Sequence, residues 1–208
     1  MDQVTTGIRR VLSAPIVYDT FQSILGGSSA RRRICQEHIR ARDGDTIVDV
    51  GCGTAELLNF LPKSVHYYGF DLSPDYIEAA KSRFDGRGDY HFRCADLNTL
   101  GPDEIPPCDL AIAFGVLHHI GDDTARTLIG SLRDRLTPGG RLVTIDNAFV
   151  EGQSFIAREL IRRDRGQHVR RAEEYLELVP DGYREKKITI HHDLLRVPYT
   201  HLIMECVK

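Results

Sequence analysis

The stretch Thr46-Ile47-Val48-Asp49-Val50-Gly51-Cys52-Gly53-Thr54-Ala55-Glu56-Leu57 constrains this chain more than any other. It opens with residues that read as a buried strand. Two glycines follow at alternate positions, and a helical pattern then begins near 54–61. Strand, glycine turn and helix in that order is how open α/β sheets build a nucleotide pocket. Glycine lets the backbone turn sharply and pass close to a ligand, where a Cβ would collide with it. The helix that follows is expected to aim its first amides at that ligand.

The ligand is constrained by what stands around the glycines. The dinucleotide fingerprint needs a third glycine, and its place is taken by Glu56. Asp49 stands two residues before Gly51. A carboxylate there suits a pyrophosphate poorly and a cation well, and S-adenosylmethionine carries both an ammonium and a sulfonium. Asp49-Val50-Gly51-Cys52-Gly53-Thr54-Ala55 resembles the first motif of the class I S-adenosylmethionine-dependent methyltransferases, with Ala55 at the place of the motif's usual third glycine. The resemblance implies an α/β fold: a Rossmann-like, doubly wound, mostly parallel sheet of seven strands ending in an antiparallel hairpin. It also implies methyl transfer, with S-adenosylmethionine as cofactor and S-adenosylhomocysteine as product. An NAD-linked oxidoreductase on a similar sheet is the competing reading, and Glu56 and Asp49 argue against it.

Further positions fall in register over residues 44 to 147. Val65 to Asp71 reads as a second strand, and Asp71 lies about twenty residues after the glycine turn, where an acid can accept both ribose hydroxyls. Its alternative role is to cap the next helix, although Ser73 and Pro74 already supply an N-cap and a first helical residue. Tyr90 to Leu97 reads as a third strand ending in Asp96, the acid that faces the adenine amino group in the resembling family. Asp109 to Gly115 is a nearly continuous apolar run, as a central parallel strand requires. An amphipathic helix is expected over 122–136. Thr137-Pro138-Gly139-Gly140 stops it, and Arg141 to Asp146 forms a fifth strand. Leu136-Thr137-Pro138-Gly139-Gly140-Arg141-Leu142 again resembles the family. The resemblance implies a cofactor set of Asp49, Gly51, Cys52, Gly53, Asp71, Leu72, Asp96, Leu97 and Phe114, with Tyr18 added from the N-terminal segment.

Before the first strand, Tyr18, Phe21, Ile24 and Leu25 share a helical face, and Gly26-Gly27-Ser28-Ser29 breaks the pattern. This segment is either a helix packed on the sheet edge or a lid that turns Tyr18 inward. Arg31 to Arg42 reads as a further helix with Arg31-Arg32-Arg33 as a solvated face. After Asp146, helices are expected over 153–163 and 172–178. Strands over 183–192 and 199–207 then form an antiparallel hairpin at the sheet edge. The chain is expected as a single domain over 1–208. Its parts are an N-terminal helical cover (1–43), a cofactor core (44–147), a helical substrate-side insertion (148–182) and a C-terminal hairpin (183–208).

Methyl transfer from a sulfonium is an in-line displacement, so the protein has to position the acceptor and manage its proton. His118 and His119 follow the fourth strand and are the candidate bases. Adjacent side chains point apart, so one is expected to act and the other to be structural; two plain loop histidines are the alternative. Asp146, Asn147, Arg162, Arg165 and His168 are candidates for acceptor binding. An arginine fork suits an anionic acceptor, and a solvated charged turn is the other reading. Asp146-Asn147 is similar to the magnesium pair of catechol O-methyltransferases. The fourth strand ends in Phe114-Gly115 without the carboxylate that such a site needs, so no metal is expected. His191, His192 and His201 are expected at the surface.

The 208 residues are enough for one substantial core. The formal charge of −3 is well mixed, so no nucleic-acid arm or membrane patch is expected. No run approaches a membrane span, and the N-terminus lacks a basic and then apolar leader. Cys35, Cys52, Cys94, Cys108 and Cys206 contain no C-x-x-C pair and read as reduced thiols of a cytoplasmic protein. The expected acceptor is a small molecule. A non-catalytic S-adenosylmethionine-binding protein and an RNA or protein methyltransferase are the alternatives.

Overall fold

The computed structural model describes residues 27–101, 104–163 and 166–208. Tyr18 and Arg165 lie outside them, as do residues 1–26 of the expected N-terminal helical cover. The strands are β1 (Thr46–Val50), β2 (His66–Asp71), β3 (Asp89–Cys94), β4 (Cys108–Phe114), β5 (Leu136–Phe149), β6 (Arg170–Arg171), β7 (Glu185–His191) and β8 (His201–Val207). They form one sheet in the order β3-β2-β1-β4-β5-β8-β7, with β6 attached to β5 off this path. Pairing is parallel from β3 through β5, and β8 runs antiparallel to both β5 and β7. The expected seven strands and antiparallel hairpin are present, with two-residue β6 in addition. The hairpin is inserted so that its second strand lies inside and its first forms the edge. Strand order reverses between β1 and β4, and their C-terminal ends lead into Gly51 and Gly115. Open α/β sheets bind ligands at such a crevice.

The helices are α1 (Gly27–Ile34), which runs into a π turn at Cys35–Ile39, α2 (Pro74–Phe84), α3 (Asp122–Arg135), α4 (Phe155–Arg162) and α5 (Ala172–Glu177). On one face of the sheet, Ile34 and Ile39 pack with Ala80 and Phe84 of α2 against Ile47, Ile112 and Val143. On the other, Leu128, Ile129 and Leu132 of α3 and Tyr175 of α5 pack against Val48, Ala111 and Leu142. Each fully buried Leu or Ile contributes roughly 1.5–3 kcal/mol of transfer free energy. Coverage on both faces explains why β4 is apolar without alternation.

The helix foreseen near 54–61 is a short 3₁₀ segment, Glu56–Phe60. Ala55 takes a left-handed conformation (φ 56°) just before it, and Leu61-Pro62 ends it, which leaves no room for α-helical turns. Gly27, Ser28 and Ser29 form the first turn of α1, with Ala30 and Ile34 buried against the sheet; the pattern expected before them lies outside the described residues. Of Arg31-Arg32-Arg33, Arg32 is exposed and Arg31 and Arg33 are half-buried, each with a partner. Arg31 pairs with Glu56 at 3.0 Å, Arg32 lies 5.7 Å over the Phe60 ring, and Arg33 bonds Glu37 and Asp193 at 3.0 and 2.9 Å. Long cationic stems at the edge of an apolar stripe cover neighbouring surface in this way. Among the described residues no helix is long and apolar enough to cross a membrane.

Candidate active site

The glycine turn is tied to β2 and to one carboxylate. Gly51 and Cys52 donate their amides to the Phe70 carbonyl at 2.7 and 3.0 Å. A Cβ on Gly51 would stand 2.6 Å from Val116 Cγ2, and the residue's φ is +69°. Gly53 has φ +56° and open space where its Cβ would be. At Gly51 both crowding and conformation call for glycine; at Gly53 conformation alone does. Asp71 Oδ2 accepts the Gly53 amide at 2.9 Å and its Oδ1 accepts the Ser73 amide at 2.8 Å. It is not the cap of α2, since Ser73 Oγ accepts the Tyr76 amide at 3.3 Å. Asp71 is half-buried and keeps lone pairs for a further donor. Leu72 beside it is 40% exposed.

Asp49 is 2% exposed, and its Oδ2 accepts the Tyr67 hydroxyl at 2.6 Å. Among the described residues its buried Oδ1 has no hydrogen-bond partner. Burial pushes this carboxyl up to about 7; the Tyr67 hydroxyl opposes the rise and the charge of Asp71 adds to it. A buried acceptor without a donor costs about 1–3 kcal/mol, which a cationic or donor ligand would relieve. Burial also pushes the Cys52 thiol well above the ordinary range, reinforced by Asp49 and Asp71, so it is a poor nucleophile.

A cavity of about 160 Å³ opens beside the turn, bordered by Val50, Asp96, Leu97, Asn98, Val116 and His119. Asp96 Oδ1 accepts the Asn98 amide at 3.0 Å and so caps the 3₁₀ turn Leu97–Thr99. Asp96 thus lies two residues beyond β3 rather than at its last position. Phe114 is half-buried at the end of β4.

The histidines lie on a 3₁₀ turn, Leu117–His119, after β4. One oxygen of Asp146, Oδ1, accepts both the His118 amide at 3.1 Å and His118 Nδ1 at 2.7 Å. Both residues are buried, at 7% and 2% exposure. The two imidazoles do not point apart as adjacency suggested. Their centroids are 4.1 Å apart at a 41° tilt, because Asp146 draws the first ring in beneath the second. His119 borders the cavity, while His118 faces the end of β5.

The insertion after β5 closes over this turn. A Cβ on Gly166 would collide with the His118 ring, and the His168 amide donates to the His118 carbonyl at 3.0 Å. Arg170, 6% exposed, donates to the carbonyls of Leu117 and Ile120 at 2.7 Å each, to that of His168 at 3.0 Å, and to Asp122 at 2.9 Å. Sequence reading missed Arg170: nothing in a charged stretch marks which arginine will be buried. Asn147 donates to Tyr199 Oη at 2.8 Å, and its carbonyl accepts the Tyr175 hydroxyl at 2.8 Å. Asp146 Oδ2 and Asn147 Oδ1 are buried without hydrogen-bond partners among the described residues. Arg162 is exposed at the end of α4, whereas His168 reaches the cavity.

A family model described as a methyltransferase domain matches residues 48–142, from β1 into β5. That part of the chain is similar to a methyltransferase domain. The chain is 31% identical over 116 residues to an uncharacterized 37.1 kDa protein of transposon TN4556 in Streptomyces fradiae, a match covering 54% of this chain and 33% of that one. The chain spans about a third of the length of the first curated relatives it matches. Among solved structures it superposes on the Haemonchus contortus phosphoethanolamine N-methyltransferase 2 with a TM-score of 0.74 at 14% identity, covering 96% of this chain and 58% of that one. Human N-acetylserotonin methyltransferase gives 0.68 at 18% identity, over 93% of this chain and 54% of that one. At such identities the likeness is one of fold, and the fold is that of the class I S-adenosylmethionine-dependent methyltransferases. S-adenosylmethionine is the cofactor of that fold. The residues present fit it: Asp49 offers a buried carboxylate oxygen that needs a donor or cation, and Gly53 leaves open space beside the turn.

Proposed function

We propose that this chain is an S-adenosylmethionine-dependent methyltransferase acting on a small-molecule acceptor, with His118 as general base and Asp146 as the residue that positions it. The observation that carries this reading is the double engagement of Asp146 Oδ1 by the His118 amide and Nδ1, at 3.1 and 2.7 Å, where β4 and β5 end. Donation from Nδ1 to the carboxylate places the basic lone pair on Nε2. The same carboxylate stabilises the imidazolium formed when His118 takes the acceptor's proton. Such a dyad favours turnover over mere cofactor binding. S-adenosylmethionine supplies the electrophilic methyl when bound.

The remaining roles follow from position. Gly51 and Gly53 let the backbone approach the cofactor, with Cys52 between them. Asp71 and Leu72 are assigned to the ribose side; Asp96 and Leu97 to the adenine side, with His119 across the cavity. Asp49 supplies negative charge beneath the turn, and Phe114 the floor beside the transferred group. Asp146-Asn147 and His168 face the acceptor side, and Arg162 and Arg165 belong to the same substrate-side insertion.

Two points support a small acceptor. The insertion packs Gly166 and Arg170 over the histidine turn, which suits an enclosed site. The structural neighbours include enzymes named for small molecules, N-acetylserotonin and phosphoethanolamine. Free thiols at all five cysteines are consistent with a reducing cytoplasm.

Labelled cofactor offered with panels of small molecules, transfer RNA and protein tests the reading. Label in a small-molecule product is expected. Label confined to RNA or protein would overturn the acceptor class, and cofactor binding without transfer to any panel would favour a binding protein.

A further inference from the structure

At the hairpin edge of the sheet, the π turn Cys35–Ile39 presses His38 against β7 and β8. His38 Nε2 lies 2.9 Å from His191 Nε2, and His38 Nδ1 lies 2.9 Å from Glu205 Oε1. Glu37 Oε2 is 4.0 Å from His38 Nε2. One donor atom each from Glu37, His38 and His191 lies within 4.8 Å of the other two. Both histidines are buried, contrary to the surface place expected for His191, because α1 and its π turn cover this end of the hairpin. His192 is exposed and His201 half-buried.

Glu205 settles which His38 nitrogen is basic. It is 8% exposed, and its Oε2 is held by Arg40 at 2.5 Å with Arg141 at 3.8 Å. An ionised carboxylate so placed keeps the proton on His38 Nδ1 and the lone pair on Nε2. Two imidazole nitrogens 2.9 Å apart then share one proton, donated by His191. A dication can take the place of that proton, which shifts to His191 Nδ1, 3.8 Å from Asp193 Oδ1. Glu37 keeps Arg33 on Oε1 at 3.0 Å and turns its other oxygen toward the pair.

We propose that Glu37, His38 and His191 form a zinc site, with Glu205 as the outer carboxylate that orients His38. Two imidazoles and a carboxylate are a donor set that zinc accepts, with a fourth position left for water. Histidine backed by a buried carboxylate is the usual arrangement around bound zinc. The two nitrogens must open from 2.9 Å to about 3.3 Å for tetrahedral ligation at about 2.0–2.1 Å. The rings meet edge to face at 82°. Bound zinc would fasten α1 to the β7–β8 hairpin.

The test strips the protein with a chelator and dialyses it against Zn²⁺, with metal per chain measured by emission spectrometry. A parallel Co²⁺ titration reads ligand-field bands. One zinc per chain and tetrahedral Co²⁺ bands are expected. Glu205→Gln should weaken zinc roughly 10–100-fold, and His191→Ala should abolish stoichiometric binding. His66→Ala, in the exposed His66–Asp89–His91 cluster, should leave it unchanged. Zinc should raise the melting temperature of the wild type and not that of His191→Gln, which guards against a misfolded alanine variant. Wild-type protein without stoichiometric zinc, or equal binding by the His191 variants, would overturn the site.

Discussion

At the scale of single residues, the site is a set of carboxylates with different tasks. Asp49 holds its proton up to about pH 7, against an ordinary value of 3.8. The unfolded chain therefore ionises first, and the apo protein loses stability as pH rises from 3.8 toward 7. A cationic cofactor prefers ionised Asp49, so binding below about pH 7 should release a proton. Affinity for S-adenosylmethionine should climb by up to about tenfold per pH unit in that window and level off above it. Calorimetry in buffers of different ionisation heat measures both effects, and Asp49→Asn should abolish them; affinity flat with pH in the wild type would assign Asp49 no part. Asp71 is different, since both of its oxygens already hold backbone amides. Asp71→Ala should weaken the cofactor by roughly 2–4 kcal/mol while the chain still folds. For the histidines, His118→Ala should lower turnover roughly 10²–10⁴-fold with cofactor affinity kept. His119→Ala should mainly weaken the cofactor, because that ring borders the cavity. Near-normal turnover in His118→Ala would make the dyad structural.

At the scale of elements, Arg170 decides how the insertion and the histidine turn hold together. Its guanidinium satisfies carbonyls of Leu117, Ile120 and His168 and pairs with Asp122 at 2.8 Å. Arg170→Ala would leave those buried carbonyls without donors. It should destabilise the protein by roughly 3 kcal/mol in urea unfolding and lower turnover through misplacement of His118. A loss under about 0.5 kcal/mol, the usual range for surface substitutions, would contradict that role. Part of the molecule is legible in the sequence because it is local. β1, β2 and β4 are written in local runs of β-branched and apolar residues, and the glycine turn in two residues that need positive φ. Arg170, Gly166 and the π turn are not local facts. Arg170 meets Leu117 across 53 positions, and His38 meets Glu205 across 167. No periodicity encodes such contacts. The 3₁₀ segment Glu56–Phe60 was misread as a longer helix because its apolar spacing is helical, while Ala55 and Pro62, which shorten it, act through backbone conformation.

At the scale of the whole molecule, the sheet brings distant carboxylates to one edge. Asp49, Asp71, Asp96 and Asp146 come from β1, β2, the turn after β3 and β5, and the crevice at the β1–β4 reversal lies among them. The same packing protects the thiols. Burial pushes Cys35, Cys108 and Cys206 up to about 12, and Cys94 is exposed. A thiol reagent should find Cys94 first in the native protein and all five cysteines after denaturation without reductant; three or fewer would reveal a disulfide. The central claim is that the Asp49–Gly53 turn, with Asp71 and Asp96, is built for a cationic nucleoside. Calorimetric titration of the native protein with S-adenosylmethionine, S-adenosylhomocysteine and NAD measures this directly. One site for each of the first two, with NAD far weaker or without heat, is the predicted result. NAD binding as tight as S-adenosylmethionine would contradict it.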